Sequence, residues 1–259
     1  PFSSSMEVLY YNKDWLAELG YNDPPETPAE FKEMACKAAE QPFSKTEEEQ
    51  GMGYGFWISA SRFASWTFSH NGDIFNYDNG EYTFDNEASI QAMRYLQDLI
   101  LRGCAVTFSE NYDDQAELGK GKLLFTTGTS AGFPFFEQEI DEGEQFELGL
   151  AAIPFTTSSP IQNVHNISFT IPSANREAEL ASWLFLKYLT RPEVQAEWVK
   201  SSNYFPVRIS AASGLVDYFI DNPAFSSVFA LLDNGKVEPA VPGYEFVREL
   251  VSESMSAIF

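Results

Sequence analysis

Strand-like segments alternate with helical stripes along the whole chain, and that alternation confines the fold to the α/β class. Val8 to Asn12 reads as a strand. Thr27-Pro28-Ala29-Glu30 then spells a capping box with proline at the first helical position. Phe31, Met34, Ala35, Ala38 and Ala39 recur at helical spacing, so a helix from Ala29 to Glu40 buries one face. Asp78-Asn79-Gly80, between Phe75-Asn76-Tyr77 and Tyr82-Thr83-Phe84, predicts a hairpin turn. The helix Glu87 to Arg102 carries the stripe Ala92, Met93, Leu96, Leu99 and Ile100 and stops at Gly103, where glycine takes a left-handed cap. Leu123 to Thr127, Leu148 to Ile153 and Ile167 to Ile171 read as strands. A helix from Arg176 to Leu189 is expected to bury Ala181, Leu184, Phe185 and Tyr188, with Thr190-Arg191-Pro192-Glu193 starting another directly. Phe246, Val247, Leu250 and Val251 mark a final helix.

With 259 residues, 44% of them hydrophobic and 15% aromatic, the chain can bury a core large enough for one big domain or two lobes. No apolar run reaches the ~18 residues of a membrane span. Acidic residues number 38 against 16 basic ones, and the resulting net charge of -22 repels nucleic acid and anionic membranes. The simplest role for that charge is to keep the protein soluble and monomeric. His70 and His165, without a CxxC or HExxH arrangement, give no metal signal, and no motif calls for a cofactor.

Cys36 falls in the first long helix and Cys104 just after the second. They read either as a disulfide between packed helices or as two separate buried thiols. Gly128-Thr129-Ser130-Ala131-Gly132 fits the G-x-S-x-G elbow of serine hydrolases and follows a strand. The only downstream histidine is His165, which leaves little room for a triad, and Phe133-Pro134 is expected to break the helix that the elbow must enter. A secreted hydrolase, serine esterase or glycosidase, is therefore the second reading; no carboxylate pair is patterned for glycoside hydrolysis.

Four blocks in register decide the first reading. They are Pro1 to Gly20 with Asn22-Asp23-Pro24-Pro25-Glu26-Thr27-Pro28-Ala29-Glu30-Phe31, Gly119-Lys120-Gly121-Lys122-Leu123-Leu124-Phe125-Thr126-Thr127, Ala181 to Trp198, and Asn203-Tyr204-Phe205-Pro206-Val207-Arg208. In this order they resemble the family 1 extracellular solute-binding proteins, which hand sugars and polyols to ABC importers, and above all its glycerol-phosphate-binding members. The resemblance implies an α/β, two-lobed periplasmic-binding-protein (type II) fold, a non-enzymatic receptor, the membrane permease of an ABC importer as partner, and a periplasmic or extracellular location, free or lipid-anchored. It favours pairing of Cys36 with Cys104.

The chain opens inside a family motif and shows no signal peptide, so the resemblance also implies an upstream portion. Residues 1–165 then correspond to the second lobe with its hinge, 166–236 to a return into the first lobe, and 237–259 to a returning helix of the second. Ligand would sit in the cleft between lobes, half of whose wall lies upstream.

A sugar site needs aromatic faces for the ring and short polar groups for its hydroxyls. By resemblance Trp57 takes the place of one tryptophan of a binding pair, Ser5 matches a ligand-contacting serine, Thr129 and Ser130 fall at a hydroxyl contact, and Tyr204 matches a binding tyrosine. Ser4, Asn166 and Tyr244 complete the expected set. Where the glycerol-phosphate-binding members carry a phosphate-holding arginine, Glu245 stands, with Arg248 three residues on. A carboxylate cannot replace a guanidinium fork, so a neutral sugar or polyol is expected, with a cationic-headed phosphodiester as the alternative. Trp183 and Trp198 lie on helices and are expected to pack in the core or locally.

Overall fold

Every residue of strand β1 (Ser3–Asn12) is buried in the computed structural model, which describes residues 1–110 and 112–259. Successive side chains of a strand point to opposite faces, and here both faces are covered. Leu9 and Tyr11 enter one apolar cluster, whereas Met6, Val8 and Tyr10 enter another. A strand with a core on each side shows no apolar–polar alternation, which accounts for the continuous run Val8 to Tyr11.

After β1 come α1 (Lys13–Glu18), α2 (Pro28–Glu40), β2 (Met52–Trp57) and α3 (Ala60–Ser69). The hairpin β3 (Phe75–Asn76) and β4 (Glu81–Tyr82) leads to α4 (Glu87–Leu101), β5 (Ala105–Phe108), α5 (Asp113–Gly119) and β6 (Leu123–Thr129). Next are α6 (Phe133–Glu142), β7 (Leu148–Ala151), β8 (Gln162–Ile167), α7 (Arg176–Leu189) and α8 (Pro192–Ser202). The chain ends with α9 (Val216–Asp221), α10 (Pro223–Phe229), β9 (Gly235–Val237) and α11 (Tyr244–Ile258).

One mixed sheet joins these layers in the order β5-β2-β6-β1-β8-β9, with β7 also paired to β1. β2 runs parallel to both β5 and β6, and β6 runs antiparallel to β1 with Glu7 opposite Thr129. The first half of β1 pairs instead with β8, Ser4 opposite Asn166 and Ser5 opposite His165. The first core cluster packs α2, α3 and α4 on the sheet through Phe31, Trp66 and Leu96; the second packs α6, α8 and α10 through Phe136, Val199 and Phe225.

Local chemistry fixes the elements read from sequence. The Thr27 hydroxyl accepts from the Glu30 N–H while the Glu30 carboxylate accepts from the Thr27 N–H, and Pro28 stands in the first turn of α2. Gly103 ends α4 at φ +72 and Gly80 holds the hairpin turn at φ +71, conformations that suit glycine. Gly53 matters for another reason: a Cβ there would lie 2.0 Å from the Ala35 carbonyl oxygen, so β2 and α2 are pressed backbone to backbone. Across the same layer Cys36 and Cys104 are joined by a disulfide, with Cα atoms 4.4 Å apart.

Three expectations need correction. The strand expected over Ile167–Ile171 lies at Gln162–Ile167, where Asn166 and His165 are admitted because their partners on β1, Ser4 and Ser5, are polar too. Phe133-Pro134 starts α6 instead of breaking it, since proline in the first turn gives up an N–H that has no helical partner there. Helix α7 forms as expected but buries none of its residues: Leu180, Trp183, Leu184, Phe185 and Tyr188 are each 50–59% exposed. No element among the described residues covers that apolar face. Trp198, by contrast, packs between Phe2 and Tyr204, at centroid distances of 5.0 Å and 6.4 Å.

Candidate functional site

Strands β2 and β6 run parallel and adjacent, and their last residues, Trp57 and Thr129, line the same cleft. The carboxyl ends of parallel strands are where α/β sheets present ligand sites, because the following loops and helix N-termini leave a crevice there. The cleft encloses about 270 Å³. Trp57, Tyr112, Phe135 and Tyr204 give it aromatic walls; Thr129, Glu7, Arg62 and Asp114 give it polar groups.

Its charges are buried and committed to one another. Glu7 Oε2 lies 2.7 Å from Arg62 Nη1, and each side chain is 2% exposed. Arg62 Nη2 donates to the Thr127 carbonyl, while the guanidinium carbon sits 5.1 Å from the centre of the Trp57 ring. Burial pushes the Glu7 carboxyl up, but Arg62 and then His165 pull it down, and the net is a carboxyl below its usual range. His165 Nε2 lies 3.4 Å from Glu7 Oε1. Asp114 accepts from Thr126 Oγ1 at 2.9 Å, yet burial holds its carboxyl above the usual range despite Arg62 nearby.

A second polar group flanks the first across α3. Glu238 accepts from Tyr244 Oη at 2.6 Å, Ser61 Oγ at 2.8 Å, Asn163 Nδ2 at 3.0 Å and from Arg248 Nη1. Burial raises its carboxyl, but these donors and the Arg248 charge bring it below the usual range. Arg248 also donates to Ser61 Oγ at 3.1 Å. The two arginines, Arg62 and Arg248, are thus each neutralised by a buried glutamate.

The expected site residues divide between these places. Trp57, Thr129 and Tyr204 are brought together in the cleft. Tyr244 and Arg248 gather around Glu238, while Glu245 is 86% exposed, 3.5 Å from Arg248 Nε. Ser4 donates to Asn166 Oδ1 at 2.6 Å across the β1–β8 pairing and lines a separate hollow with Pro206 and Arg208. Ser5 is buried in β1. Ser130 is fully buried, its hydroxyl accepting from the Met6 N–H at 3.2 Å, and among the described residues no hydrogen bond joins it to His165. A hydrolase elbow needs that serine exposed.

Glu7, Arg62, Asp114 and Glu238 were not singled out from sequence. The signal for Glu7 was present: it is one carboxylate inside an otherwise apolar strand, Met6-Glu7-Val8-Leu9-Tyr10. Such a residue survives burial only with a partner, which points to a buried cation elsewhere in the chain.

A family model described as bacterial extracellular solute-binding protein matches residues 1–226. The chain belongs to that family. The sn-glycerol-3-phosphate-binding periplasmic protein UgpB of Yersinia pseudotuberculosis is 23% identical over 277 residues, covering 100% of this chain and 61% of the relative. Among solved structures, UgpB of Mycobacterium tuberculosis in complex with glycerophosphocholine superposes with a TM-score of 0.81 at 20% identity, covering 100% of this chain and 68% of that one. The GacH receptor of Streptomyces glaucescens, solved unliganded and with acarbose, gives a TM-score of 0.79 at 22% identity, covering 99% and 64%. The solute-binding chain therefore shares the fold of two-lobed periplasmic receptors and spans about three fifths of the length of the curated relatives it matches, 61% and 62% for two of them.

Proposed function

We propose that this solute-binding chain carries one wall of a ligand cleft in an extracytoplasmic receptor of an ABC importer, and that the ligand is a neutral sugar or polyol. One observation carries the reading: at the carboxyl ends of β2 and β6 lies a cleft with aromatic walls whose one cation among the described residues, Arg62, is already tied to Glu7. Aromatic faces suit the apolar side of a sugar ring, and Thr129 with the carboxylates suits its hydroxyls. A phosphate dianion needs a free guanidinium fork or ammonium, and this wall offers none. The GacH structure, with acarbose, fits the same hydroxyl-rich class.

On this reading residues 1–165 form the lobe bearing most of this wall, 166–236, which contribute Tyr204 to it, belong to the other lobe, and 237–259 return to the first. The apolar face of α7 supports that division, since exposed leucine, tryptophan and phenylalanine on one helix call for a covering layer, and the relatives are longer than this chain. The cross-strand pairing of Ser3–Met6 with Val164–Ile167 is where the chain would bend. Ligand would favour the closed state by contacts made only there. The protein acts as a monomer, periplasmic or extracellular, and delivers its solute to the membrane permease.

Isothermal titration of the full-length protein with maltose, ribitol and glycerol 3-phosphate tests the ligand class. Binding of a neutral compound, weakened at least tenfold by Trp57→Ala, is the expected result; binding of glycerol 3-phosphate alone overturns it.

A further inference from the structure

Trp57 is the last residue of β2 and only partly buried at the cleft, and its indole is contacted from outside its own strand. Arg62 does so from the first turn of α3. Its side chain is held at two points, by the Glu7 carboxylate on β1 and by the Thr127 carbonyl on β6, and its guanidinium lies against the Trp57 ring at 5.1 Å. The Ser59 hydroxyl caps the helix by accepting from the Arg62 N–H at 3.2 Å, so the backbone beneath that side chain is fixed as well. Two sheet strands, β1 and β6, therefore act through one guanidinium plane on the indole of a third, β2.

From this geometry we infer that Arg62 is a positioning residue that presets Trp57 as a stacking platform, with Glu7 locking Arg62 in place. The inference rests on the reading of this cleft as the ligand site, but extends it. An ion pair 2% exposed is costly to desolvate and adds little stability over an apolar pair of the same volume. It does supply orientation. A planar fork anchored at two nitrogens cannot rotate, and a cation face held near an indole draws the ring flat against it. Lysine in the same place would keep the charge and lose the plane. Preorganisation of this kind raises affinity because the ring need not be immobilised when solute enters.

The test needs no ligand. Full-length protein is labelled with 5-fluorotryptophan, and the resonance of each tryptophan is assigned by substitution to phenylalanine, Trp15, Trp66, Trp183 and Trp198 serving as controls. The variants are Arg62→Lys, which retains the charge, and the double variant Glu7→Gln with Arg62→Met, which leaves no buried charge unpaired. The inference predicts that the Trp57 signal alone moves toward the free amino acid and broadens in both variants, while the control signals keep their wild-type shifts. An unmoved Trp57 signal in the double variant overturns it. So does a shift of all five signals together, which would mark Arg62 as a general structural residue. If titration identifies a solute, Arg62→Lys should lower affinity by about tenfold in the wild-type background and not at all in Trp57→Ala. Equal losses in both backgrounds contradict the inference whatever the solute proves to be.

Discussion

Glu7 Oε2 and Arg62 Nη1 lie 2.7 Å apart, on strands and helices 55 residues apart in sequence, with each side chain 2% exposed. Burial of this kind makes the two residues interdependent. Removing one partner leaves an uncompensated charge in the interior, at a cost of about 3–5 kcal/mol, whereas removing both can be close to neutral. Glu7→Gln and Arg62→Met should therefore each lower stability by roughly that amount, and the double variant by much less than their sum. Urea denaturation of the four proteins checks this; additive losses would contradict the pairing.

The same pair makes an acid-sensitive contribution. Burial raises the Glu7 carboxyl, but Arg62 and His165 outweigh it and its folded value is depressed. A depressed carboxyl stabilises fully above its unfolded value, ~4.3 for glutamate, and that contribution is lost as pH falls through the folded value. Wild type should lose stability relative to Glu7→Gln as pH is lowered through this window. Denaturation curves for both proteins across that range give the answer.

Asp114 behaves in the opposite sense. Burial holds its carboxyl above the usual range, so its contribution is complete below the unfolded aspartate value and declines as pH rises through the folded one. Asp114→Asn, which keeps an acceptor for Thr126 Oγ1, should match wild type at low pH and gain on it as pH rises. A variant that loses ground at neutral pH would show that Asp114 is stabilised as a carboxylate.

The Cys36–Cys104 bridge spans 68 residues of sequence, and closing a loop of that length restricts the unfolded chain by about 4 kcal/mol on the chain-entropy account. Reduction, or the double variant Cys36→Ser with Cys104→Ser, should shift the urea midpoint down by a corresponding amount. An unchanged midpoint on reduction would contradict it.

What could be read from sequence follows physical rules. Helices α2 and α4 have one face in the core and one in water, so their stripes are visible in order and spacing; α11 forms over its stripe but buries only Met255, with Phe246 and Leu250 exposed. Helix α3 was missed because all ten of its residues are buried and it has no stripe to show. β2 carries Gly53 where its backbone meets that of α2, and Gly55 where the side chains of Phe108 and Leu123 press on it, which erases its strand signature. α7 misled in a different way: its apolar face predicts burial, and among the described residues the covering layer is absent. At the site, Trp57, Thr129 and Tyr204 were accessible through resemblance, whereas Arg62 and Asp114 look like ordinary surface residues until folding brings β1, α3 and α5 to one crevice.

The central claim is that this cleft receives a neutral hydroxyl-rich solute. Thermal stabilisation of the full-length protein across neutral sugars, polyols, glycerophosphodiesters and glycerol 3-phosphate tests it most directly. A ligand at 100 times its Kd adds about 2.7 kcal/mol to the folded state, a shift of several degrees. The account predicts a saturable rise with one neutral sugar or polyol, cut to about half or less at the same ligand concentration by Trp57→Ala, and none with glycerol 3-phosphate. A rise with glycerol 3-phosphate alone, or one undiminished in Trp57→Ala, would contradict it.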